Sequence, residues 1–162
     1  MTFTYFAYGS NMLTKRLAAR TPSAVWIAVG YVERHRLVFD KVSTGSGKCD
    51  MEYTGVTTDR VYGVVFRISR AEADDLDRAE GVGHGYKKAE YDVLTDEGFY
   101  RAQVYVATSK DPTLRPFHWY KGHVVRGALE HKLPADYIAS LSAVESWPDP
   151  DDDRAKKEQA LW

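Results

Sequence analysis

The chain has 162 residues, of which 44% are hydrophobic and 13% aromatic, so it can bury the core of one domain. Its 22 basic and 23 acidic residues leave a net charge of -1, which favours neither nucleic acid nor an anionic membrane surface as a partner. Small molecules or proteins are the expected partners.

The single cysteine, Cys49, excludes a disulfide within the chain, and the first residues lack the basic and then apolar pattern of a secretion signal. No apolar run approaches the ~20 residues that span a bilayer. These features predict a soluble protein of the reducing cytoplasm. We expect one domain over residues 1–148, followed at 149–162 by a polar tail or a loosely docked helix.

The stretch from Phe3 to Met12 predicts a strand, a tight turn and a helix start. Its first half is aromatic and β-branched, and Gly9 interrupts that pattern before a helical run over residues 13–20. Ser10 and Asn11 are favourable N-cap residues, and the unpaired amides of a helix start can hold a carboxylate or a developing oxyanion. An ordinary capped helix after an ordinary strand explains the same residues, so this turn alone does not assign a function.

Residues 24–68 predict strands and one loop. Residues 24–40 form two strands or one long bent strand, and residues 51–57 pair with 61–68 as a hairpin. Residues 41–50 are rich in Ser, Thr, Gly and Lys and are expected to be a mobile surface loop. Cys49, with no base or helix start beside it in sequence, is expected to be an ordinary thiol.

A short acidic helix follows, with clear signals at both ends. Ser69 and Glu72 have the spacing of a reciprocal capping pair, and Gly81 is a typical stop. Glu80 occupies the last helical position, where the negative end of the helix dipole opposes a carboxylate. A residue placed against its local preference suggests a role in a site, although an exposed and merely tolerated glutamate is the alternative.

The second half of the chain predicts one hairpin and two helices. Residues 86–95 and 99–107 form the hairpin, and helices cover 116–132 and 134 to about 144. His118, His123 and His131 lack the three- or four-residue spacing that brings two metal ligands to one face of a helix, so no metal site is expected.

Three separated segments together resemble the gamma-glutamylcyclotransferase family. They are Tyr5 to Met12 (YFAYGSNM), Leu76 to Val82 (LDRAEGV) and Leu133 to Leu141 (LPADYIASL). Their order and spacing agree with the family, and the resemblance covers roughly Phe3 to Ser146. It implies an α+β fold built on a small closed mixed β-barrel with flanking helices, in which the turn and the glutamate line one cavity.

The resemblance also implies a reaction. A gamma-glutamyl amine, amino acid or peptide would be the small-molecule substrate, and its free α-amine would attack its own γ-carbonyl to give 5-oxoproline and the released amine. Nucleophile and electrophile belong to one molecule, so folding the substrate supplies much of the rate and no cofactor is required. One carboxylate can accept the proton from the attacking ammonium and return it to the leaving nitrogen.

By the same resemblance, Glu80 matches the catalytic glutamate. Tyr86 stands one residue out of the family's spacing from Glu80, and Met12 stands where the family often has leucine. The leaving-group pocket would be formed by residues 41–50 and 109–115. The implied substrate-binding residues are Tyr8, Gly9, Ser10, Asn11, Met12, Tyr86, Tyr105 and Tyr120. A non-catalytic module that keeps the cavity and binds a small ligand is the alternative.

Overall fold

The computed structural model describes residues 1–162 and contains seven strands and five α-helices. The strands are β1 Thr2–Ala7, β2 Val25–Glu33, β3 His35–Ser43, β4 Ser46–Tyr53, β5 Arg60–Ser69, β6 Tyr86–Thr95 and β7 Gly98–Ala107. The helices are α1 Thr14–Arg20, α2 Ala73–Glu80, α3 His118–Glu130, α4 Ala135–Ser142 and α5 Asp152–Gln159, and short 3-10 turns cover Ser10–Met12 and Arg70–Glu72.

Five strands close into a barrel in the order β1, β5, β2, β6, β7. Neighbouring strands are antiparallel except at the closure, where Tyr5 of β1 faces Gln103 of β7 in a parallel pair. Closure leaves no open edge in the barrel, and the buried apolar side chains of β1, β5 and β7 form one core cluster with those of α3. The predicted α+β fold with a closed mixed barrel is confirmed.

The segment predicted as a mobile loop, residues 41–50, belongs instead to a second sheet formed by β3 and β4, so that prediction is wrong. Lys41 pairs with Lys48 in this hairpin, and Asp50 is completely buried. The Asp50 carboxylate accepts a hydrogen bond from the Ala107 amide at 2.9 Å and lies 3.0 Å from Lys110 Nζ. The Asp50 carboxylate can be buried because it finds partners on β7 and on the loop after it.

The predicted hairpin of residues 51–57 with 61–68 is also wrong. Strand β4 pairs with β3, whereas β5 lies between β1 and β2 in the barrel. The apolar pattern of each strand was recognisable, but pairing depends on the tertiary arrangement and not on proximity along the chain. Of the two alternatives for residues 24–40, the structure has two separate strands, β2 and β3.

Two predicted helix caps are absent, and the residues concerned bind elsewhere. Ser10 and Asn11 lie in the 3-10 turn and do not cap α1, which begins after Leu13. Ser69 and Glu72 form no capping pair, because the Glu72 carboxylate accepts hydrogen bonds from the backbone and the hydroxyl of Ser23. In both cases the side chains bind residues from other segments of the chain instead of the backbone at the helix start.

Other predicted elements are confirmed. Gly81 ends α2 with φ +72, a left-handed conformation that glycine adopts at no steric cost. The hairpin of β6 with β7 is present, as are α3 and α4. None of the helices combines the length and the apolar character needed to cross a bilayer.

The final helix, α5, is docked on α3. Glu158 of α5 lies 2.6 Å from the Arg16 guanidinium and 2.9 Å from Nε2 of His123. The indole of Trp162 donates to Nδ1 of His123 at 3.0 Å. Because Nδ1 accepts this bond, we assign the ring proton to Nε2, which donates to Glu158.

Candidate active site

A cavity of about 290 Å³, including its open mouth, lies where the end of β1, the 3-10 turn, β4 and the end of α2 meet. It is lined by Tyr5, Tyr8, Gly9, Ser10, Asn11, Cys49, Glu80, Tyr86, Tyr105 and Tyr120. Half of these residues are tyrosines, so the cavity combines apolar ring faces with hydroxyl groups. Glu80 is the one lining residue with a carboxylate.

The turn after β1, whose residues Gly9, Ser10 and Asn11 line the cavity, has unpaired backbone donors. The amides of Gly9, Ser10 and Asn11 donate to no protein acceptor, whereas the next two amides close the 3-10 turn on the carbonyls of Gly9 and Ser10. Gly9 is needed because a Cβ there would lie 3.0 Å from Cys49 Cβ and 3.2 Å from the Tyr120 hydroxyl. Close packing of the turn against β4 therefore favours glycine.

Glu80 projects from the C-terminal end of α2, and only 16% of its side chain is exposed. Its Oε1 accepts a hydrogen bond from the side-chain amide of Asn11 at 2.5 Å and lies 3.4 Å from Nη1 of Arg20. Its Oε2 has no protein partner. One carboxylate oxygen is thus anchored while the other is free to bind a ligand.

Asn11 is itself held in place by two neighbours. Its Oδ1 accepts from Arg20 Nη1 at 3.0 Å, and its Nδ2 also lies 3.0 Å from the Tyr5 hydroxyl. Arg20 therefore contacts both Asn11 and Glu80 from the last turn of α1. These bonds fix the amide so that its NH2 group faces the carboxylate.

The cavity tyrosines are neutral hydrogen-bonding groups. Burial raises the pKa of Tyr8, Tyr86 and Tyr120 well above its usual value of 10. The Tyr86 hydroxyl donates to the Cys49 carbonyl at 2.7 Å, and the Tyr120 hydroxyl accepts from the Cys49 amide at 3.1 Å. They link β4 to the barrel and to α3, and they are not bases near neutral pH.

Comparison with known proteins identifies the family to which this chain belongs. A curated Mus musculus protein named gamma-glutamylcyclotransferase is 37% identical over 153 residues, covering 89% of this chain and 79% of that protein. The chain belongs to the gamma-glutamylcyclotransferase family. The Homo sapiens protein of the same name is 35% identical with the same coverage, and the model of the AIG2-like family matches residues 60–141.

Structural comparison agrees with the gamma-glutamylcyclotransferase assignment. A solved protein named gamma-glutamyl cyclotransferase superposes with a TM-score of 0.84 at 32% identity, covering 97% of this chain and 99% of that one. The family predicted from the three sequence segments is confirmed. Membership of an enzyme family favours catalysis over a non-catalytic binding module.

Eight of the nine residues that the resemblance implied for a gamma-glutamylcyclotransferase site line this one cavity. Met12 does not, because its side chain is completely buried in the core. Sequence reasoning missed Tyr5 and Cys49 on the cavity wall and Arg20 behind Glu80. Tyr5 lay within the recognised YFAYGSNM segment, but nothing along the chain linked Arg20 to a glutamate sixty residues away.

Proposed function

We propose that this chain is a gamma-glutamylcyclotransferase that converts a gamma-glutamyl compound into 5-oxoproline and a free amine, with Glu80 as the proton carrier. The proposal rests on how the two oxygens of the Glu80 carboxylate are hydrogen-bonded inside the cavity. Oε1 is anchored by Asn11 while Oε2 has no protein partner, and three unpaired amides lie on the turn that supplies Asn11.

In the first step, Glu80 Oε2 accepts a proton from the substrate's α-ammonium group. The α-nitrogen then attacks the γ-carbonyl carbon of the same molecule and closes a five-membered ring. The small cavity holds the glutamyl chain in a folded shape. The amine and the γ-carbonyl are then close together, which raises their effective concentration toward each other.

In the second step, Glu80 returns this proton to the leaving nitrogen as its bond to the γ-carbon breaks. The α-nitrogen loses a second proton as it becomes the lactam nitrogen, and this proton passes to the released amine, which leaves as an ammonium ion. No water is consumed, and the carboxylate ends in its starting state. Neither step is an oxidation or a reduction, so the proposal includes no redox cofactor.

The free amides of Gly9, Ser10 and Asn11 supply donors for the oxygens of the glutamyl group. Fixed backbone donors are suited to this because they need not reorganise when negative charge grows on the γ-carbonyl oxygen. The ring faces of Tyr8, Tyr86, Tyr105 and Tyr120 would enclose the aliphatic part of the substrate and exclude water. Cys49 is part of this wall, and no covalent step is assigned to its thiol.

The test is release of 5-oxoproline from a panel of gamma-glutamyl compounds by the wild type and by Glu80→Gln. Glutamine keeps the shape and an acceptor for the Asn11 amide but cannot carry the proton, so turnover should fall by about a thousandfold, the middle of the range for general acid–base effects. Asp74→Asn is the matched control, because it removes one exposed carboxylate from the same helix. Turnover retained in Glu80→Gln would exclude the assigned role.

A further inference from the structure

Two lysines of the β3–β4 hairpin lie beside the cavity. Lys41 and Lys48 are register partners on adjacent strands, so their side chains start from the same face of the hairpin. The Lys41 ammonium lies 4.7 Å from the centre of the Tyr86 ring, and the Lys48 ammonium lies 5.7 Å from that of Tyr120. Both rings line the cavity, although the lysines themselves do not.

Neither ammonium has an anionic partner. No carboxylate lies within 4 Å of Nζ of Lys41 or Lys48, and neither Nζ donates a hydrogen bond to the protein. Lys41 is nevertheless only 8% exposed. The neighbouring Lys110, in contrast, is paired with Asp50. Burying a cation without a partner is unfavourable, and so is placing two like charges opposite each other, so folding alone does not explain this pair.

The electrostatics of the two lysines agree with their position. Burial lowers the pKa of Lys41, and burial with repulsion from Arg16 and Lys41 lowers the pKa of Lys48 to about 8. The negative charge of Glu80 acts in the opposite direction on both.

Gly85 makes room for this arrangement. It has φ +124, and a Cβ at this position would lie 2.8 Å from Cε and 3.1 Å from Nζ of Lys41. A side chain at residue 85 would displace the Lys41 stem from the Tyr86 ring. The glycine-rich segment after Glu80 thus accommodates the lysine as well as ending the helix.

We propose that Lys41 and Lys48 form an anion subsite that binds a carboxylate on the leaving group of the substrate. The inference rests on the proposed function. Because the lysines adjoin the cavity without lining it, the anion they bind lies next to the glutamyl group and outside its own pocket. A released amino acid carries a carboxylate one carbon from its nitrogen, whereas a simple amine has none. Gamma-glutamyl amino acids are therefore preferred over gamma-glutamyl amines of the same size.

The experiment compares two substrates that differ by one charge, gamma-glutamyl-alanine and gamma-glutamyl-alaninamide. The KM for the carboxylate form should be at least about tenfold lower, the size expected for a hydrogen-bonded charged pair. Lys41→Met and Lys48→Met keep an apolar stem and remove the charge. Each should raise the KM of gamma-glutamyl-alanine severalfold and leave that of the alaninamide unchanged.

Lys87→Met is the matched control, because Lys87 is an exposed lysine of β6 without an ion pair. It should change neither KM. Calorimetric binding of the same two compounds to Glu80→Gln gives a readout that does not depend on turnover. A carboxylate preference in binding that the lysine variants abolish supports the subsite even if no 5-oxoproline is released, in which case only the proposed function fails. Equal calorimetric binding of the two compounds, including binding of neither, overturns the subsite whatever the outcome of the release assay.

Discussion

The side-chain amide of Asn11 donates a hydrogen bond to Oε1 of Glu80 at 2.5 Å, joining two residues 69 positions apart in the chain. This bond connects the turn after the first strand to the end of the acidic helix. It also leaves the second oxygen of Glu80 without a protein partner. The catalytic proposal depends on this contact, since it places a carboxylate beside three unpaired backbone amides.

Replacing Arg20 with methionine should lower kcat more than it raises KM. Arg20 contacts both Asn11 and Glu80, so its loss frees the carboxylate to leave the reactive geometry. We expect a decrease in kcat of about tenfold, from the loss of hydrogen bonds to a charged group. Steady-state kinetics provide the measurement, with Lys15→Met on the same helix as control. Arg20→Lys should recover part of the activity, and an effect on KM alone would argue against a positioning role.

Replacing Gly9 with alanine should weaken both folding and substrate binding. The added Cβ would meet Cys49 Cβ at 3.0 Å and the Tyr120 hydroxyl at 3.2 Å, so β4 or the turn must shift. Overpacking of this kind typically costs about 1–3 kcal/mol. Urea denaturation and the KM for a gamma-glutamyl substrate measure the two effects. Unchanged values for both would mean that the turn does not need close contact with β4.

Acid should destabilise the contact between α5 and α3. Burial opposes the charge of Glu158, but the hydrogen bond from His123 and the charge of Arg16 prevail and lower its pKa to about 2. Burial also lowers the pKa of His123. Both groups bind protons more readily when unfolded. Their contribution is therefore fully present above about pH 6.5 and is lost as pH falls toward 2.

The variant Glu158→Gln should accordingly flatten the pH dependence of unfolding. We expect it to lose about 1–2 kcal/mol near pH 7 and little at pH 2, after allowance for solvent screening of a partly exposed pair. Chemical denaturation across this pH range is the measurement. Glu145→Gln, which removes an exposed carboxylate, is the control and should keep the wild-type slope. An equal decrease in the free energy of unfolding at all pH values would contradict the link between this pH dependence and the ionisation of Glu158.

Cys49 should react slowly with alkylating reagents in the native protein. Its thiol is 2% exposed, and burial raises its pKa far above the usual range, so almost no thiolate is present near neutral pH. Labelling with iodoacetamide, followed by mass spectrometry, should be at least about a hundredfold slower in buffer than in urea. Rapid native labelling at pH 7 would show that β4 opens and exposes the cavity wall.

The sequence by itself determined the elements whose signals are local, together with the family. Alternating strands with a short turn predicted the hairpin of β6 and β7, and Gly81 marked the end of α2 because a left-handed residue favours glycine. The segments around Gly9 and Glu80 identified the family, which supplied the barrel and nearly all of the cavity residues. These features depend on residues close together in the chain or on motifs of known spacing.

Only the tertiary structure decided how polar residues are paired. Residues 41–50 look like a loop, yet they form a strand pair because Asp50 finds partners on β7 and Lys110. Ser10 and Asn11 suit a helix cap, but the stronger partners Arg16 and Glu80 bind their side chains. Hydrogen bonds and ion pairs between distant segments outweigh local preferences of about a kilocalorie per mole. A local sequence pattern therefore does not predict which distant residue a polar side chain binds.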